Sequence, residues 1–150
     1  MELLFEEKQK FNQWWLWIIL LVFPILSIIP FNGNEINRYY VLIGLAIPSF
    51  FYFLELRTFV TKVGLHYQFF PFHFKKHLIK IKEIEKIEAL QYKPIAEYGG
   101  WGIRYGFKGK AYNVSGNKGV KVHLSNKRNI LFGSQKYKEL EKALKQIKKQ

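Results

Sequence analysis

"WWLWIILLVFPILSIIPF", residues 14–31, runs eighteen residues without a charge, and "YYVLIGLAIPSFFYFL", residues 39–54, runs sixteen more. At ~1.5 Å rise per residue the two would reach roughly 27 and 24 Å as helices. Adding Glu55 and Leu56 brings the second level with the first, near the ~30 Å of a hydrocarbon core. The expectation is two membrane spans, at about 14–31 and 39–56. Two buried helices of a soluble core are the competing reading, but the remaining residues are too polar and too few to wrap both on every side. A cleaved signal peptide fits less well, because "MELLFEEKQK" is acidic as well as basic and "ILSIIPFNGNE" has no small-x-small cleavage site.

Orientation follows from the cations near the span ends. Lys8 and Lys10 precede the first run and Arg57, Lys62, Lys75 and Lys76 follow the second, against Arg38 alone between them. Six against one places both termini in the cytoplasm of a multi-pass cell-membrane protein, with "NGN" bending a short external turn over residues 32–39. Trp14, Trp15 and Trp17, with Tyr39, Tyr40 and Tyr52, suit interfacial aromatic belts, and Pro24 and Pro48 predict kinks that face each other. Cysteine is absent, which excludes a disulfide framework and thiolate chemistry.

Residues 1–56 therefore form one segment and residues 57–150 a second, cytoplasmic domain. The latter holds 21 Lys or Arg against six Glu, a formal +15 that exceeds the +13 of the whole chain. Its pattern is mostly two-residue alternation broken by Gly, Pro and Asn, which predicts short strands. "RTFVTKVG" and "LHYQFFPFHF" read as two strands joined near Gly64. "HLIKIKEIEKIEALQYKP" reads as two strands divided near Glu83, or as part helix. "KAYNVSG" and "GVKVHLS" flank "GNK" as a hairpin, and "NKR" turns "VHLS" into "NILFGS" as a second. Ser134 is placed as N-cap of a C-terminal helix at about 135–149, with Tyr137, Leu140, Leu144 and Ile147 on the face that closes the strand layer.

The segment "EYGGWGIRYGFKGKAYNVSGNKG", residues 97–119, packs seven glycines and five aromatics into twenty-three positions. Gly100, Gly102 and Gly106 miss the dinucleotide spacing, no helix opens behind them, and no Gly-Lys-Ser/Thr ending follows. The favoured reading is a tight turn beneath Trp101. The functional reading takes Tyr98, Trp101, Arg104 and Tyr105 as candidate partner-binding residues, the types that anchor interfaces or dock a carboxylate or phosphate. An Arg104 exposed beside Trp101 favours that reading; an Arg104 paired with Glu97 or Glu88 favours scaffolding.

"YKPIAEYGGWGIRYGFKGKAYNVSGNKGV", followed by "ILFGSQKYKELEKAL", resembles a family of small, uncharacterised bacterial membrane proteins in which a pleckstrin-homology-like domain follows a two-span hairpin. The resemblance covers roughly residues 59–144. It implies an α+β chain: a transmembrane helix hairpin, then an antiparallel β-barrel or sandwich closed by a C-terminal α-helix. It also implies a binding or scaffolding role with no catalytic residues, metal or cofactor to carry over. In eukaryotic pleckstrin-homology domains the inositol-phosphate site uses basic residues of the first hairpin loop, where this chain has "TKVGLHY" with only Lys62 and His66.

His73 and His77 flank Lys75 and Lys76 and are expected to point apart, so no metal site is expected. No Asp occurs, and Ser115, Ser125 and Ser134 fall in turns or caps, so no nucleophile–base–acid set is legible. The reading is a non-catalytic, membrane-tethered module that recruits an unknown protein partner or orients on anionic lipid through Arg57, Lys62, Lys75 and Lys76. A basic nucleic-acid-binding domain held at the membrane is the first alternative. A membrane enzyme is the second, and it lacks titratable residues in the two apolar runs.

Overall fold

The computed structural model describes residues 2–29 and 38–149, with the backbone alone at Arg38. It divides into two units, residues 10–54 and residues 1–9 with 55–150.

The first unit is a helix pair, α1 (Trp14–Ile28) and α2 (Arg38–Phe53), of 15 and 16 residues. At ~1.5 Å per residue they reach only ~22 and ~24 Å. Helix α1 stops because Ile29 turns to φ −80°, ψ 118°. Helix α2 cannot absorb Glu55 and Leu56, because both belong to a strand in which they pair with Phe70 and Phe69. Among the described residues no helix is long and apolar enough to cross a membrane. That finding corrects the two spans and, with them, the multi-pass cell-membrane location with cytoplasmic termini. The "NGN" turn lies outside the described residues. Pro24 meets Gly44, where an added Cβ would lie 3.0 Å from the Pro24 Cα, so the close crossing is glycine against proline and not proline against proline.

The second unit has two sheets. One runs β1 (Leu3–Lys10), β2 (Glu55–Thr61), β3 (Gly64–Phe70) and β4 (His77–Lys80), in that spatial order. The other contains β5 (Ile84–Gln91), β6 (Gly102–Gly106), β7 (Gly109–Asn113), β8 (Lys118–Leu124) and β9 (Asn129–Gly133), in the order β5-β8-β9-β7-β6. Both sheets are open, which corrects the barrel in the expected antiparallel barrel or sandwich, and the second sheet is mixed. The "GNK" hairpin is corrected as well. Strand β7 does not pair with β8 but runs parallel to β9, Tyr112 opposite Phe132, while β8 lies between β5 and β9. The "NKR" hairpin forms as expected, and the stretch near Glu83 is a short 3₁₀ turn, Ile81–Glu83, that separates β4 from β5.

Strand β1 belongs to this unit because its inward residues, Phe5, Glu7 and Gln9, are buried and the two polar ones bond to residues ahead of the last helix. The Ser134 hydroxyl donates to the buried Glu7 carboxylate at 2.6 Å, Gln135 N–H donates to its other oxygen at 3.0 Å, and Gln9 Nε2 donates to Gly133 O at 2.8 Å. These bonds stitch β1 to the chain just ahead of α4 (Tyr137–Lys148). Ser134 is not the helix N-cap, a place taken by Lys136; its hydroxyl accepts the Lys136 N–H instead. Helix α4 buries Leu140, Ala143, Leu144 and Ile147 completely or nearly so, while Tyr137 stays half-exposed. Its Glu141 accepts the N–H of Ala89, on the edge strand β5, which covers part of an otherwise open edge.

Candidate functional site

The glycine-rich segment is a short helix, a turn and a hairpin. Helix α3 (Pro94–Tyr98) begins on proline and ends at Gly99, and Gly99, Gly100 and Gly102 then take φ of 72°, 120° and 116°. Only residues without a Cβ enter this region without strain, so the expected tight turn is present and the glycines are its cause. Asn113 holds the turn from below. Fully buried on β7, it accepts the Gly102 N–H at 2.9 Å and donates to the Tyr92 hydroxyl at 3.1 Å. Burial pushes the Tyr92 phenol up to about 12, with the Asn113 hydrogen bond working the other way.

On top of the turn the Trp101 indole N–H donates to Gly116 O at 2.9 Å, and Arg104 Nε donates to Trp101 O at 2.9 Å. The guanidinium thus folds back over the turn from an exposed strand position. Neither Glu97 nor Glu88 pairs with it. Glu97 pairs with Lys108 at 3.0 Å, which holds its carboxyl below the usual range, and Glu88 pairs with Lys86 and His123, which lower it likewise. Of the four candidate partner-binding residues, Trp101 and Arg104 stand together at the surface. Tyr105 is 75% exposed and borders a different depression, while Tyr98 is buried against Tyr92 and serves the core.

Three of the four cations assigned to a lipid face have partners within the chain. Arg57 is paired with Glu55, Lys62 with Glu2 at the far end of β2, and Lys76 lies 5.1 Å above the Phe59 ring. His73 and His77, expected to point apart, come together with ring centroids 4.3 Å apart. The bend after β3 does this, and His77 also stacks on Tyr67 at 5.2 Å. His73 Nδ1 accepts the Phe69 N–H at 3.3 Å. Burial, then His77, then Lys110 lower the His73 pKa. Among the described residues no group of three metal-ligating side chains forms.

A second feature joins residues far apart in the sequence. Between the β6–β7 hairpin and the β8–β9 turn lies a cleft of about 700 Å³. Lys108, Lys110, Lys127 and Arg128 line it, together with Tyr105, Phe107 and Tyr112, and none of its twelve lining residues is acidic. No protein-family model matches the chain, and a search of curated proteins finds no relative.

Proposed function

We propose that this chain is a non-catalytic binding module that recruits a protein partner through carboxylates docked on the Trp101–Arg104 turn. The observation that supports this reading is the state of Arg104. Its Nε is fixed on Trp101 O, its side chain occupies an exposed position, and Glu97 and Glu88 are engaged with Lys108 and with Lys86 and His123. A planar fork held in place and short of an anion is suited to bidentate recognition, and the adjoining indole supplies apolar area for an anchor. The pleckstrin-homology-like kinship is part of this proposal in reduced form, as an open two-sheet scaffold braced by α4 that presents loops for binding.

The test uses a fluorescein-labelled octaglutamate peptide and the full chain, read by fluorescence anisotropy. Saturable binding that weakens about fivefold in Arg104→Ala and again in Trp101→Ala supports the proposal. Equal binding by wild type and both variants overturns it.

A further inference from the structure

The cleft beside the β6–β7 hairpin carries an inference of its own, independent of the Arg104 turn. Its base is rigid. Tyr112 is 2% exposed, stacks on Phe132 at 5.7 Å and 15°, and lies 4.8 Å from Tyr67. Over that base the Lys110 ammonium stands 4.8 Å from the Tyr112 centroid and 5.0 Å from that of Tyr105. Among the described residues Lys110, Lys127 and Arg128 enter no ion pair, and a concave surface with several uncompensated cations and no carboxylate focuses positive potential inward. Lys127 holds a left-handed φ of 63°, a conformation that costs a lysine energy and that a glycine would adopt freely.

The rim differs in kind. Phe107 at the hairpin tip is fully exposed and Tyr105 is 75% exposed, so two aromatic faces are open to solvent beside the cations. Gly109 fixes this rim, because a Cβ there would collide with the Asn129 carbonyl; the hairpin can approach the opposite turn only with glycine at that position. Exposed rings next to unpaired Lys and Arg match a planar base stacked on an aromatic with its phosphate on the cations. A chain of acidic side chains would use the cations and leave the rings idle.

We propose that this cleft binds a nucleoside phosphate unit, the base stacking on Phe107 and Tyr105 and the phosphate held by Lys110, Lys127 and Arg128. Free nucleotides and single-stranded nucleic acid share this chemistry. The volume is within the usual range for a site that encloses one such unit.

The experiment titrates the full chain with a fluorescent N-methylanthraniloyl derivative of ATP and, separately, with fluorescein-labelled octathymidylate at 50 and 200 mM salt. Wild type is expected to bind saturably. Lys110→Met with Arg128→Ala should weaken binding at least tenfold, and Phe107→Ala, at a tip that packs against nothing, about fivefold. Lys142→Ala, at an exposed position on α4, should bind as wild type does. Octathymidylate binding at least tenfold tighter than the nucleotide, and steeply salt-dependent, identifies a strand as the source; comparable affinities identify a free nucleotide. Failure of both probes to saturate at millimolar concentration, or cleft variants that bind like wild type, overturns the proposal. So does an octaglutamate peptide whose binding is lost in the cleft variants while the nucleotide probes do not bind.

Discussion

Asn113→Ala is the substitution through which fold and surface are most directly linked. The side chain is fully buried and makes two hydrogen bonds, one to the turn that carries Trp101 and Arg104 and one to the Tyr92 hydroxyl in the core. Each bond contributes about 1 kcal/mol net, and a buried hydroxyl left without its partner costs ~1–3 kcal/mol. The expected loss is therefore about 2–4 kcal/mol. For a unit of roughly 100 residues this corresponds to a fall in melting temperature of about 10–25 °C. Asn113→Asp keeps the acceptor for Gly102 N–H but loses the amide donor and buries a carboxylate, so it should not restore stability. The assay is thermal unfolding of the full chain by circular dichroism at pH 7.4, with urea unfolding to confirm an unchanged slope. A loss below about 0.5 kcal/mol in Asn113→Ala would refute the assignment of Asn113 as the anchor of the turn.

Three further outcomes are expected. Leu144, fully buried on α4, should cost about 2–5 kcal/mol when changed to alanine; a urea midpoint that barely moves would show that the helix does not close the core. His73 and His66 both have pKa values lowered from 6.5, His73 by burial, then His77, then Lys110, and His66 by burial and then Lys76. The unfolded chain therefore takes up protons near pH 6.5 more readily than the folded one, and stability that is complete above that pH is lost as pH falls below it. The melting temperature should drop between pH 7.5 and 5.5, less steeply in His73→Asn; a rise on acidification would contradict the environments described. Lys127→Gly removes a left-handed lysine, so the melting temperature should hold or rise slightly while nucleotide binding weakens; a loss of more than about 1 kcal/mol would mean that Lys127 supports the fold.

The parts of the fold legible in the sequence are those where apolar spacing is local. Leu140, Leu144 and Ile147 mark the buried face of α4, and the alternation from Arg57 through Phe69 marks β2 and β3. Strand β1 is invisible to such counting because two of its inward residues are Glu7 and Gln9, made buriable by bonds to Ser134, Gln135 and Gly133 more than a hundred residues away. The parallel pairing of β7 with β9 has no local signal either, since "NVSGNKG" is as good a hairpin sequence as "LSNKRN". The apolar runs misled because length was counted on composition alone, while Ile29 leaves helical geometry and Glu55 and Leu56 pair in a sheet. At the surface, the residue types of the glycine segment revealed the turn and Arg104 but not which tyrosine faces inward. The cleft draws its two walls from residues 105–112 and 127–130, which only the sheet order brings together.

If the Trp101–Arg104 turn docks carboxylates as proposed, Arg104→Lys, which keeps the charge and removes the fork, separates geometry from charge. With the labelled octaglutamate peptide at constant salt, the lysine variant should lose most of the affinity lost by Arg104→Ala, about fivefold or roughly 1 kcal/mol, because geometry and not charge alone holds the ligand. Wild-type affinity in Arg104→Lys would show diffuse attraction to a basic protein and contradict the claim.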